Sequence, residues 1–204
     1  MINYAPDNPI ARLLDAPPHH QMILKALMRG RSLNQNEIDR FGDLGVRAID
    51  LSNPWSMQID RVAFYGDFFQ FADDDDIRGL QVITMGVMSL DGLIDVMAWH
   101  PSTERVAMWT GDGFALSEYK IGDHVGPGSA GLAVFRSPMS WLCAGCKGIV
   151  IVRKTFAHIV LANVPVLIAE DESHGVELRH MFPAGGAAPR ILVRAPRTKP
   201  QVAA

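Results

Sequence analysis

The spacing of apolar side chains predicts two helices in the first fifty residues. Apolar positions recur at helical spacing over residues 19–28, directly after the breaker Pro17-Pro18. Ser32 and Gln35 then have the spacing of a capping box, which predicts the start of a second helix. Because only a short link joins them, we expect the two helices to form an N-terminal helical hairpin.

From residue 61 the apolar pattern changes towards a period of two and becomes rich in strand-forming residues. Asp91-Gly92 is placed to make a tight turn between two of these runs. Neighbouring runs joined by such short connections pair with each other. The sequence therefore predicts an antiparallel four-stranded meander, with strands over residues 61–71, 80–88, 93–99 and 105–109.

In the C-terminal half, short apolar runs alternate with helix-like runs. Strands are predicted over residues 132–135, 149–152 and 164–169, although the second of these runs is also compatible with a continued helix. Helices are predicted over 114–120, from Ser137-Pro138 onwards, over 155–162 and over 172–181. Residues 191–193 are compatible with an edge strand.

The whole pattern predicts an α+β fold. It combines the helical hairpin, the meander, and C-terminal alternating helices and buried strands that extend the same sheet. We divide the chain into a helical segment (1–50), an α+β body (51–182) and a basic, loosely ordered tail (183–204).

Composition and charge narrow the possible partners. The chain has 204 residues, 48% of them apolar, and a net charge of −3, which gives no overall electrostatic attraction for nucleic acid or for an anionic membrane. Nucleic-acid binding is therefore expected only through the basic tail, which carries Arg190, Arg194, Arg197 and Lys199. The favoured partner is another protein.

The apolar runs and the N-terminus predict a cytoplasmic protein. Residues 1–6 have neither a basic nor an apolar signal region, and the run 156–169 is shorter than the roughly 20 residues of a membrane span. No phosphate-binding loop, dinucleotide fingerprint or nucleophile elbow occurs in the sequence. We therefore expect no cofactor.

Cys143 and Cys146 have the spacing of a redox pair and superficially resemble the thioredoxin site. In thioredoxins, however, the tryptophan directly precedes the first cysteine, whereas Leu142 separates Trp141 from Cys143 here. The pair also falls late in a predicted helix, where the helix dipole opposes a thiolate. Structural thiols are the favoured interpretation, and thiol redox chemistry is an alternative.

Glu170 and Asp171 follow a predicted buried strand, at the end where open sheets bind ligands. Their placement is similar to that of the magnesium-binding acids of Toprim-type phosphoryl-transfer domains. In those domains the preceding strand also presents an acid, but here it ends in Arg153-Lys154. Asp171 is equally suited to cap the last helix. Metal binding by Glu170 and Asp171 and simple capping both remain open.

Further titratable side chains are candidates for the same pocket. Asp95 and Trp99 share one face of a predicted strand, while His100 points to the other face. The candidate catalytic set is therefore Asp95, His100, Glu170, Asp171 and His174. An active site requires these side chains to converge.

Four segments, at 93–101, 105–111, 136–148 and 169–175, resemble a group of uncharacterised bacterial proteins found in prophages and other mobile elements. The resemblance covers about residues 60–182 and implies no activity. We therefore expect a non-catalytic accessory or interaction protein of a mobile element. The alternative is a small enzyme, with metal-dependent phosphoryl transfer preferred over thiol redox chemistry.

Overall fold

The computed structural model contains two β-sheets and six short α-helices within the part of the chain that it describes. This part comprises residues 17–51, 57–126, 128–183 and 188–194. The α+β class is confirmed. None of the helices in these residues is both long and apolar enough to cross a membrane.

The first sheet closes on itself and forms a barrel. Its strand order is β1-β2-β3-β6-β5-β4, and β2 pairs with β4 as well as with β3. The strands are β1 (Arg31–Ser32), β2 (Gln58–Tyr65), β3 (Phe68–Phe71), β4 (Leu80–Ser89), β5 (Gly92–His100) and β6 (Arg105–Met108).

The predicted four-stranded meander is therefore wrong in detail. Its first strand, 61–71, is a hairpin, because Gly66 adopts a φ of +62° and the chain reverses between Tyr65 and Phe68. The new strand β3 pairs in parallel with β6 at Phe68 and Met108. The tight turn between β4 and β5 forms as expected, with Ser89 opposite Gly92.

A second, mixed sheet has the order β11-β10-β8-β9-β7, in which only β7 is antiparallel to its neighbour. Its strands are β7 (Ala115–Leu116), β8 (Leu132–Phe135), β9 (Ile149–Ile151), β10 (Val166–Ala169) and β11 (Arg190–Val193). The C-terminal strands thus form their own sheet and do not extend the first one. The predicted edge strand at 191–193 is present as part of β11.

The helices are α1 (Pro18–Leu27), α2 (Gln35–Asp43), α3 (Ala48–Leu51), α4 (Pro138–Cys143), α5 (Ala157–Val160) and α6 (Glu172–His180). The helix predicted at 114–120 is replaced by β7 and a 3₁₀ helix, Glu118–His124. The capping box of α2 begins at Asn34 instead of Ser32, because Asn34 and Glu37 bond each other's backbone N–H groups.

The core shows how the parts are joined. Ile23 of α1 packs with the barrel residues in one cluster, whereas Phe41 of α2 belongs to another, so the two helices do not share a hairpin core. The cluster around Phe41 also contains Trp99 of the barrel and Trp141 of α4. The barrel and the second sheet therefore share a core.

Candidate functional site

The second sheet has a topological switch point between β8 and β10. The chain leaves β8 for β9 on one side, and then passes from β9 to β10 on the other side of β8. Connections that leave neighbouring strands in opposite directions open a crevice at the carboxyl ends of those strands. A pocket of about 450 Å³ occupies this position.

Charged and polar side chains from six segments line this switch-point pocket. Three of the segments directly follow β8, β9 and β10, and the others are the start of α4, helix α6 and the turn between β5 and β6. The polar set is Glu104, Arg136, Ser137, Ser140, Lys154, Glu170, Asp171, His174 and Glu177. Of the predicted candidates, Glu170, Asp171 and His174 are thus brought together, with Arg136 and Glu177 beside them.

Asp171 caps α6, which is one of the two alternatives that the sequence leaves open. Its Oδ1 accepts hydrogen bonds from the backbone N–H of His174 and from the hydroxyl of Ser173, both at 2.8 Å. Both carboxylate oxygens also accept from the guanidinium of Arg136, at 2.6 and 3.0 Å. The Arg136 pair and then the capping bond hold the pKa of Asp171 well below its usual range.

Arg136 is the centre of the charged cluster. Its Nε and one terminal nitrogen each lie 3.1 Å from Oε1 of Glu177, and its backbone N–H donates to Glu170 at 2.7 Å. The same guanidinium contacts the hydroxyl of Ser173. The hydrogen bond to Asp171 raises the pKa of Arg136 further above its ordinary value. A permanent positive charge therefore lies among the three carboxylates.

His174 is a buried, neutral member of the pocket. Only 3% of its surface is exposed, and its Nδ1 accepts the backbone N–H of Glu170 at 3.2 Å. Burial lowers the pKa of His174, so the ring is neutral at pH 7. Because Nδ1 is the acceptor, we assign the proton to Nε2.

The sheet order corrects the comparison with Toprim-type domains. The strand beside β10 is β8, which is followed by Arg136, whereas β9 lies one strand further away. The position where a metal site would need another acid therefore carries an arginine. Among the described residues, no group of three or more His, Cys, Asp and Glu side chains is placed to hold a metal ion.

Asp95 and His100 do not join the pocket. Asp95 is fully buried on β5, where its carboxylate accepts four backbone N–H groups, from Val96, Thr110, Gly111 and Gly113. His100 contacts the hydroxyl of Thr103 at 2.8 Å within its own turn. The five predicted candidates therefore do not converge on one site.

The two cysteines flank the end of α4. The N–H of Cys146 bonds to the carbonyl of Trp141, and that of Gly145 to Leu142, which is a Schellman motif. Both thiols contact backbone carbonyls of the α2–α3 region, Cys143 that of Leu44 at 3.4 Å and Cys146 that of Asp50 at 3.8 Å. This arrangement fixes the N-terminal segment and favours structural thiols.

We expect Cys146 to alkylate far more slowly than a free model thiol at pH 8. Burial raises the pKa of its thiol to about 11, so at pH 8 only about one molecule in a thousand carries the reactive thiolate. The rate should rise with pH up to about 11. Iodoacetamide labelling followed by peptide mass spectrometry measures this. Labelling at the rate of a free thiol would instead support redox chemistry.

The basic tail is described only in part. Arg190 is exposed at the start of β11, and the guanidinium of Arg194 lies 5.3 Å from the ring centre of Phe135. Arg197 and Lys199 lie outside the described residues.

Comparison with protein-family models, with curated proteins and with solved structures finds no match to this chain.

Proposed function

We propose that this protein is a non-catalytic accessory or interaction protein of a mobile element. The observation that carries the non-catalytic role is the position of Arg136. Its guanidinium satisfies Asp171 and Glu177, and its backbone N–H satisfies Glu170. A fixed cation of the chain thus takes the place that a metal ion would need among these carboxylates.

A protein partner is supported by an apolar groove on the N-terminal elements. The groove has a volume of about 540 Å³ and lies between β1, α2 and α3. Leu33 and Ile38 line it, and Ile49, which is 70% exposed, stands at its side. Exposed apolar surface of this kind is typical of protein interaction sites.

The partner is tested with affinity-tagged protein expressed in its native host. Ile49→Asp should abolish co-purification of the partner, because it places a charge in the apolar groove. Ile159→Asp is the matched control, since Ile159 is 62% exposed on α5 and outside the groove. A partner retained by the Ile49 variant would argue against this groove. The genes that flank this one test the mobile-element context, which rests on the sequence resemblance.

A metal-dependent phosphoryl-transfer enzyme is the second candidate function. One observation favours it: the switch-point pocket is lined by four carboxylates against the two cations Arg136 and Lys154. The remaining negative charge would attract a divalent cation. Glu170 and Asp171 would be its first ligands.

Calorimetric titration with Mg²⁺ and Mn²⁺ separates the two functions. We expect no binding to the wild-type protein, because a metal would have to displace the guanidinium of Arg136 from Asp171. Arg136→Gln should bind a divalent cation weakly, since it frees the carboxylates. Wild-type binding that Asp171→Asn abolishes would overturn the non-catalytic proposal.

The same variants test the role of Asp171 in capping. Asp171→Asn should melt about 1–2 °C below the wild-type protein, because asparagine keeps the cap but loses the partly exposed ion pair with Arg136. Asp171→Ala should melt about 2–4 °C below the Asn variant, since the N–H of His174 also loses its acceptor. Equal melting temperatures for the two variants would contradict the capping role.

A further inference from the structure

Three exposed aromatic rings form a continuous strip with arginines. Tyr65, Phe68 and Phe156 are each between 39% and 43% exposed. The guanidinium of Arg78 lies 5.8 Å from the ring centre of Tyr65, and that of Arg153 lies 5.7 Å from Phe68 and 4.2 Å from Phe156. We call these five residues the aromatic–arginine strip.

The backbone positions these rings on one surface. Tyr65 and Phe68 are opposite each other in the β2–β3 hairpin, so their side chains lie on the same face. Arg153 is held by a hydrogen bond to the carbonyl of Gly111. A Cβ on Gly111 would come 2.5 Å from the Phe68 ring, so the glycine allows this ring to lie close against the backbone.

Positive charge is available beside the rings. Arg105 and Arg153 donate to the carbonyls of Gly66 and Gly111, and within the described part of the chain neither is within ion-pair distance of a carboxylate. Arg78, in contrast, pairs with Asp76. Two cations without an ion pair, Arg105 and Arg153, therefore lie next to the exposed aromatic rings.

We infer that the aromatic–arginine strip binds single-stranded nucleic acid. Bases stack on exposed aromatic rings, and arginines and lysines contact the phosphates between them. A single strand is favoured over a duplex because the bases of a duplex are already stacked on each other. The inference is independent of the proposed non-catalytic role. It also places nucleic-acid contact on the body of the protein, away from the basic tail.

The charge of the protein sets the expected strength of binding. With a net charge of −3, long-range attraction is absent, so binding should be weak. Two phosphate contacts on a single strand give a salt slope of about −1.4. Affinity should therefore fall about sevenfold between about 50 and 200 mM salt.

Fluorescence anisotropy with a labelled oligothymidylate of about 20 nucleotides tests the inference. Phe68→Ala and Phe156→Ala should each weaken binding by roughly fivefold or more, because each removes a stacking ring. Leu44→Ala is the matched control, since Leu44 is an exposed apolar residue that follows α2, away from the strip, and it should change affinity by less than about twofold. Melting curves show whether each variant is folded. If Phe68→Ala or Phe156→Ala does not fold, Tyr65→Ala takes its place in the binding measurement.

The arginine variants separate charge from stacking. Arg153→Gln should weaken binding and reduce the slope of log affinity against log salt concentration by about 0.7, whereas Arg153→Lys should keep this slope. No binding by the wild-type protein at about 50 mM salt would overturn the inference. Unchanged binding by the folded ring variants, or binding lost only on deletion of residues 195–204, would overturn it in favour of the tail.

Discussion

Replacing Asp95 with alanine is expected to destabilise the protein by about 4 kcal/mol. The carboxylate accepts four backbone N–H groups at 2.7–3.1 Å, and three of them come from the loop after β6. Alanine would leave these donors unpaired, at a cost of about 1–3 kcal/mol for each that stays buried. We expect less than the full sum because the amides of Thr110 and Gly111 are only partly buried and can reach water.

Urea denaturation of Asp95→Ala and Asp95→Asn measures this loss. The free energy of unfolding of Asp95→Asn should lie between those of the wild type and Asp95→Ala. The amide oxygen still accepts, but the amide NH₂ group faces N–H groups that need an acceptor. Asp91→Ala is the control, since Asp91 is exposed in the β4–β5 turn, four residues before Asp95. A free energy of unfolding for Asp95→Ala within about 1 kcal/mol of the wild type would show that the loop does not depend on this carboxylate.

The features that the sequence predicts well are those determined by neighbouring residues. Ser137 caps α4 through the N–H of Ser140, and Asp171 caps α6 through the N–H of His174, each three residues away. Strands β8, β9 and β10 are recognisable in the sequence because each is a short run of apolar residues. Local chemistry alone explains these elements.

The features that the sequence misses depend on contacts between distant residues. Arg136 meets Asp171 and Glu177 across 35 and 41 positions of the chain. Their meeting depends on sheet order, because β8 must lie between β9 and β10. Reading strands in chain order instead points to Arg153-Lys154. The one available signal was the position of Arg136 directly after a predicted strand, where ligand-binding residues are common.

The role of Asp95 in the barrel also depends on distant residues. The sequence shows that Asp95 and Trp99 lie on one face of their strand, but three of the four N–H donors to Asp95 come from residues 15–18 positions later. The hairpin at Gly66 was missed for a different reason. Gly66-Asp67 is a two-residue turn signal, but the strand-forming runs on either side of it are short enough to fit one continuous strand.

Replacing Trp141 with alanine is the second large effect, and we expect a loss of about 3 kcal/mol. Trp141 is buried in the core cluster that the barrel shares with the second sheet, and its Nε1–H donates to the carbonyl of Gly148 at 3.0 Å. Large-to-small changes at such sites cost about 3–5 kcal/mol. The lower end applies because Trp141 already lines a cavity of about 340 Å³, which gives the neighbouring side chains room to relax.

Trp141→Phe and Ile159→Ala separate the contributions to this loss. Phenylalanine keeps most of the apolar packing and loses the hydrogen bond to Gly148, so it should cost about 1–2 kcal/mol. Ile159 is the control, because its side chain is 62% exposed on α5, and its replacement should stay within about 0.5 kcal/mol of the wild type. Urea denaturation of the three variants measures these differences. Equal losses for Trp141→Ala and Ile159→Ala would mean that the two sheets do not depend on Trp141 for their shared core.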